Sequence, residues 1–367
     1  MRVPFHFLIG VLSLGLLLVL AACNPQVPEK KSTLTGGGWM SNSAQNNFVG
    51  NTACAPCHAK NFGSHQRTRH MQTLHDTMRS DLGENAPPTG MIPGEIKLGW
   101  LEEELVIITS EKDTGEEINV PLDLAFGSGK TGITYIALEP SGCLEMRQSY
   151  FPHNKQKWVV TPGQENLAAT TVGQVHDLAS TQRCIGCHSV TKPAGQLKPD
   201  RSFYGVGCES CHGAGARHVA AREAKTPFTR EEIVVLREAG GEKINQVCGS
   251  CHRTAEDVSR MGASAKKSTG RFQPYGLSLS RCFKESKDKL SCTTCHNPHE
   301  DASTDQKQYE KTCLSCHSAP QKTCPVNPKE KCVSCHMPTR PLSPNPNFPI
   351  KMADHFIRVF KGGKPTR

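Results

Sequence analysis

A chain of 367 residues with only 36% apolar and 6% aromatic side chains, 32 glycines and 25 prolines would struggle to bury enough apolar surface to fold alone. Its formal charge is +9, but no DNA-binding motif accompanies that charge, so no nucleic-acid partner is expected. Eighteen cysteines point instead to an interior stapled by disulfides, metal or a cofactor.

Taken in chain order, residues 1–22 read as a signal peptide. Arg2 supplies the basic start, and the apolar run Leu8 to Leu20 is shorter than the roughly 20 residues a membrane span needs. The run ends in Leu20-Ala21-Ala22-Cys23, which resembles a bacterial lipobox, where cleavage precedes the Cys and lipid is attached to it. Asn24 after Cys23 favours the outer membrane by the same resemblance. Residues 23–47 are polar and rich in Gly, Ser and Asn, the composition of a flexible, lipid-anchored tether.

Residues 48–90 carry the first Cys-x-x-Cys-His motif. Residues 91–161 carry none. There, apolar–polar runs such as IKLGW, ELVIIT, ITYIAL and KWVV alternate with turns, predicting a small antiparallel β-rich insertion. GSGKTG in this stretch does not match a phosphate loop. Residues 162–367 carry the other six motifs. A helix is predicted over TREEIVVLREAG, with Thr229 as cap and Glu232 three residues on. An extended tail over Pro341 to Pro349 leads to a short terminal element that presents His355.

The seven motifs place cysteines at Cys54 and Cys57, Cys184 and Cys187, Cys208 and Cys211, Cys248 and Cys251, Cys292 and Cys295, Cys313 and Cys316, and Cys332 and Cys335. The histidines that follow are His58, His188, His212, His252, His296, His317 and His336. This is the attachment signature of c-type haem. Two thiols reach the two vinyl groups of one porphyrin edge, and the next residue turns its imidazole under the iron as proximal ligand. Paired CxxC motifs also serve zinc, but zinc does not demand a histidine after every second cysteine. Seven covalent haems are therefore expected, and no flavin or nicotinamide. At about −1 each when ferric and about −2 when ferrous, they would absorb the basic excess.

An iron that only carries electrons needs a sixth ligand. Outside the motifs and the signal peptide stand His65, His70, His75, His153, His176, His218, His299 and His355, enough for seven bis-histidine haems. His299 follows proximal His296 by three residues, too close to reach the far face of its own haem. It should ligate a neighbour, and His218, six residues past His212, invites the same argument. Such exchange needs haems packed side by side, as the close motif spacing also implies. Cys143, Cys282 and Cys324 remain. Each is read as a small buried residue, with a thiolate axial ligand the sharper role for Cys282.

CAPCH followed by TRHMQ, CHGAGARH, CTTCHNPH, and CHMP with a later DHF resemble the hydroxylamine-oxidoreductase-related group of multihaem cytochromes, including its smaller tetrahaem electron carriers. The resemblance covers about residues 50–80 and 180–360. It implies bis-histidine haems in stacked pairs and a mainly α fold, with long loops wrapped around the haems and little regular structure. It also implies distal ligands at His70, His218, His299 and His355. The chain departs from the catalytic members. No crosslinking tyrosine or open haem is identifiable, and the CxxCK motif of pentahaem nitrite reductases is absent.

Three functions follow as expectations. The first is an electron carrier between redox protein partners at the cell envelope. The second is a reductase or oxidase of a small nitrogen or sulfur compound with one open haem and unassigned catalytic residues. The third is a subunit whose haems wire a larger redox complex.

Overall fold

The computed structural model describes residues 47–110, 114–191, 196–229, 232–263, 265–318, 324–327 and 329–360. The signal peptide, Cys23 and almost all of the tether lie outside the described residues.

The strands span more of the chain than the 91–161 stretch. One sheet joins β1 (Leu74–Asp76), β6 (Leu124–Phe126), β7 (Thr134–Glu139), β8 (Gly142–Met146) and β11 (Gly173–Asp177) in that order, every neighbour antiparallel. A second is the meander β2 (Gly90–Ile92), β3 (Ile96–Leu101), β4 (Glu104–Ser110) and β5 (Glu117–Pro121). β9 (Gln148–Tyr150) and β10 (Trp158–Val160) form a hairpin. The inward residues of these strands, Leu98, Leu105, Ile107, Ile133, Tyr135 and Met146 with Tyr150 and Trp158, make one conventional apolar core.

The rest of the chain is short helices and loops. α1 (Ala59–His65), α3 (Leu178–His188), α4 (Cys208–His212), α5 (Ala216–Glu223), α6 (Gly241–His252), α10 (Cys292–Cys295), α11 (Gln306–His317) and α12 (Cys332–His336) contain or adjoin the seven motifs. α2 (Arg79–Leu82), α7 (Ala255–Arg260), α8 (Gln273–Leu279) and α9 (Arg281–Glu285) complete the set, and β12 (Thr339–Pro341) pairs with β13 (Lys351–Ala353). The expectation of a mainly α fold is thus corrected. The described residues form a mixed α and β chain, because the haem-free stretch supplies enough alternating apolar residues to build its own sheets.

One further local expectation differs. Among the described residues of 229–240 no α-helix forms. Thr229 N does donate to Glu232 Oε1 at 3.0 Å, but only a 3₁₀ turn, Leu236–Glu238, follows. The β-branched run Ile233-Val234-Val235 disfavours a helix. Val234 instead bonds through its N–H and its carbonyl to His212. The segment bearing His70 is a series of turns rather than a helix. Thr68 Oγ1 donates to His65 O at 2.7 Å and accepts from Met71 N at 3.1 Å, replacing the helical ladder.

The sheet is fastened to the motif-bearing part at several points, among them an apolar cluster and a lysine. Leu74, Leu124, Ile136 and Cys143 pack with Ile185, inside CIGCH, and with Tyr204. Lys130, in the loop between β6 and β7, donates to Arg67 O and to Asp301 Oδ2, both at 2.8 Å. Replacing fully buried Leu105 with Ala should lower the unfolding free energy by about 2–5 kcal/mol in urea titration. Ile118→Ala, at an exposed site on β5, should change it by no more than about 0.5 kcal/mol.

Candidate functional site

Each CxxCH forms one helical turn. In motifs one and five, for instance, His58 N donates to Cys54 O at 2.9 Å and His296 N to Cys292 O at 3.0 Å. Such a turn puts both cysteines on one side and brings the histidine round beneath them. The motifs are then cemented in pairs. Asn51, just before the first motif, accepts from Cys208 N at 2.8 Å, and Asn245, in α6, accepts from Cys292 N at 3.2 Å. In both cases a side-chain amide from one motif satisfies an orphan N–H at the start of another's helical turn. Glu209, inside CESCH and 3% exposed, accepts from Val49 N at 3.0 Å, Gly50 N at 2.9 Å and Gly215 N at 2.7 Å.

Thiols of different motifs consequently meet. Cys54 lies beside Cys208, Cys187 beside Cys251, Cys248 beside Cys292, and Cys332 beside Cys313. Cys211 lies in the electrostatic reach of Cys248, and Cys295 in that of Cys313. Numbered along the chain, motifs one, three, four, five, six and seven thus form an unbroken series of neighbours, with motif two joined to motif four.

The histidines meet as well. Ring centroids are 6.3 Å apart for His58 and His218, 6.3 Å for His212 and His299, 6.0 Å for His70 and His252, and 6.3 Å for His296 and His355. A metal-bound imidazole nitrogen lies about 2.0–2.1 Å from its metal and about 1.1 Å from its own ring centre. Two imidazoles on opposite sides of one iron therefore have centroids about 6.2–6.4 Å apart. All four separations fall at or within 0.2 Å of that range, with His212 and His299 inclined by only 3°.

The outer nitrogens point the same way. Nδ1 of His188 bonds to Thr73 O at 3.1 Å, of His212 to Val234 O at 2.9 Å, of His336 to Arg358 O at 3.0 Å and of His355 to Ala353 O at 2.9 Å. Nδ1 of His252 meets Gln273 Oε1 at 3.1 Å. A carbonyl on Nδ1 fixes the tautomer that leaves the Nε2 lone pair for a metal. Burial pushes His70 and His355 down to about 4, and also lowers His188 and His252, so these rings are neutral near pH 7, as ligation requires. The donor set therefore fits haem iron. His296 Nδ1 is buried without a protein partner, beside a polar cavity of about 250 Å³ lined by Asn297, Glu300, Asp301 and Tyr309.

The eight candidate distal histidines divide. His70, His218, His299 and His355 each face a motif histidine, and His299 faces His212 rather than His296. His65 is buried, its Nδ1 unpartnered, and stands edge-on to His299 at 6.5 Å. His75 spends Nε2 on Gln72 O at 2.8 Å, and His176 spends Nε2 on Glu145 at 3.0 Å. His153 is exposed in the loop between β9 and β10. The ring against His188 is Phe126, edge-on at 4.8 Å. Cys143 is buried in the sheet core and Cys324 Sγ accepts from Asn327 N at 3.5 Å. Burial pushes the Cys282 thiol up, away from the thiolate form.

Sequence reasoning missed the residues that hold the ligands. A buried Asp354, 1% exposed, accepts from Thr269 Oγ1 at 2.5 Å and Phe356 N at 3.0 Å, and pairs with Arg358 at 3.2 Å and Arg340 at 3.6 Å. It locks a strap that serves two motifs, since His355 faces His296 while the Arg358 carbonyl holds His336. Gly205 makes the other close approach. At φ +79° its missing Cβ would lie 2.1 Å from Met71 O, which lets Val206 N bond to His70 O at 2.9 Å. The DHF triplet was the one visible hint of the strap.

Comparison with known proteins finds similarity to a family model, to curated relatives and to a solved structure. The family model for cytochrome c554 and c-prime matches residues 147–213. The C-type polyheme cytochrome OmcC of Geobacter sulfurreducens is 31% identical over 147 residues, covering 38% of this chain and 17% of that protein. The dissimilatory sulfite reductase MccA of Wolinella succinogenes is 21% identical over 375 residues, covering 80% of this chain and 51% of that protein. The chain thus spans about half or less of the length of the curated relatives it matches. The crystal structure of the outer cell wall cytochrome OcwA aligns with 85% of this chain and 80% of its own, at 16% identity and a TM-score of 0.49. Seven attachment turns, imidazoles opposed at the spacing of an iron's two axial sites, and similarity to a cytochrome family model and a polyhaem cytochrome together make this chain a multihaem c-type cytochrome.

Proposed function

We propose that the chain holds seven covalent haems and relays electrons between protein partners at the cell envelope. The observation that carries this reading is the set of four opposed imidazole pairs at 6.0–6.3 Å. His58 pairs with distal His218, His212 with His299, His252 with His70, and His296 with His355. Each haem, when bound, supplies one-electron exchange at its iron. The chain's own residues do the rest. Carbonyls on Nδ1 orient the imidazoles, and burial keeps them neutral. The chain of neighbouring motifs gives the charge a continuous route, with motif two as a side branch or point of entry. Cys23 carries the lipid that holds the protein on the membrane, and donor and acceptor dock as separate redox proteins or as members of a larger complex.

A second reading, reduction of a small sulfur or nitrogen compound at one open haem, draws on the match to a sulfite reductase along four fifths of this chain. It also draws on His188, whose ring contact is Phe126. That haem is the first place to look for an exchangeable site.

Purified protein should exceed the mass of the bare chain by seven haems and give low-spin ferric signals in electron paramagnetic resonance. A colourless protein would end the proposal. A high-spin signal altered by sulfite, nitrite or hydroxylamine would transfer support to the second reading. His299→Ala should turn one haem high-spin, and peptide mapping of an exogenous ligand trapped there should locate it on Cys208 and Cys211. Location on Cys292 and Cys295 would refute the pairing. Lipid anchoring predicts that Cys23→Ser releases the protein from membranes into the soluble fraction, and that the mature wild-type N-terminus is an acylated cysteine.

A further inference from the structure

The pair formed by His58 and His218 differs from its neighbours at the outer nitrogen. His188, His212, His252, His336 and His355 bond through Nδ1 to neutral carbonyl, hydroxyl or amide oxygens. Nδ1 of His218 instead meets a carboxylate, Glu232 Oε2, at 3.4 Å. Glu232 is 8% exposed and held in place. It accepts from Thr229 N at 3.0 Å and Thr229 Oγ1 at 3.3 Å, and its two oxygens meet the same guanidinium nitrogen of Arg222 at 3.3 and 3.1 Å. His218 and Arg222 lie one turn apart on α5, and Phe228 stands edge-on to the His218 ring at 6.0 Å.

We propose that Glu232 is a tuning residue that lowers the reduction potential of the haem between His58 and His218, with Arg222 limiting how far. This rests on the reading of His218 as that haem's distal ligand. A carboxylate accepting from Nδ1–H gives the imidazole partial anionic character and makes it a stronger donor through Nε2. A stronger donor favours ferric over ferrous iron, because the oxidised centre carries one more positive charge. Burial sharpens the effect by reducing solvent screening around the carboxylate. Arg222 withdraws part of the negative charge, so the guanidinium opposes the carboxylate in sign. Lowering the potential of the first haem favours electron flow along the motif series from this end, away from the N-terminal motif.

The test is a redox titration followed by electron paramagnetic resonance on the intact holoprotein and three variants. His218→Ala identifies the signal, since the haem that loses its distal ligand becomes high-spin. Glu232→Gln, nearly isosteric, should raise that haem's midpoint potential while it stays low-spin. Arg222→Gln should shift the same midpoint downward. Opposite shifts are the signature of electrostatic tuning. Shifts of both variants in the same direction would mean that each merely loosens α5, and would overturn the inference. Should Glu232→Gln fail to fold, the sign of the Arg222→Gln shift decides alone: downward supports the tuning, upward or none defeats it. If His218→Ala leaves every haem low-spin, the ligand assignment itself fails. If it yields one high-spin haem but Glu232→Gln leaves that midpoint unmoved, only the tuning fails.

Discussion

Opposed imidazoles delivered by distant segments to a common spacing are the constraint around which the motif-bearing part of this chain is arranged. His70 and His252 lie 182 residues apart in the sequence and His58 and His218 lie 160 apart, and nothing in their local structure brings them together. What does so is a set of small polar joints between motifs: Asn51 on Cys208 N, Asn245 on Cys292 N, Glu209 on three backbone amides. Buried amides and carboxylates of this kind cost stability unless every bond is made, and where made they specify one arrangement. In a region with few apolar side chains, that specificity takes over part of the role that jigsaw packing plays elsewhere.

The two parts of the chain follow different folding rules. Between Leu74 and Asp177 alternating strands bury Leu98, Leu105, Tyr135 and Met146, the ordinary logic of a sheet. Elsewhere the apolar clusters are small, such as Val258, Ala265 and Phe272 with Tyr275. The interface between the parts is where sheet meets cofactor motif. Ile185 of CIGCH enters the cluster of Leu124 and Ile136, Phe126 abuts His188, and Thr73, next to β1, holds His188 Nδ1. The sheet therefore acts as a wall and a ligand support for the second motif.

The C-terminal strap shows how one buried charge serves several ligands. Asp354, tied to Thr269, Arg340 and Arg358, fixes a short stretch that aims His355 at His296 and offers the Arg358 carbonyl to His336. Two motifs that are separate in sequence thereby share one support. His218 differs, since the group on its Nδ1 is a carboxylate rather than a carbonyl.

By itself the sequence determined where the seven attachment turns lie and which histidine follows each, because two cysteines and a histidine within five residues are a local geometric unit that any helical turn satisfies. Local alternation also announced β3, β4, β7 and β10. It misjudged 229–240 as a helix, since a Thr–Glu cap is a local signal while the β-branched run and the long-range pairing of Val234 with His212 are what prevailed. The steric argument that His299 cannot reach around its own haem was legible from three residues of spacing. Only the tertiary structure decided that His299 meets His212, that Glu232 rather than a carbonyl backs His218, and that His75 and His176 spend Nε2 on other partners. Those outcomes depend on contacts between segments far apart in the chain, and no local pattern of residue types encodes the distance at which two such segments come to rest.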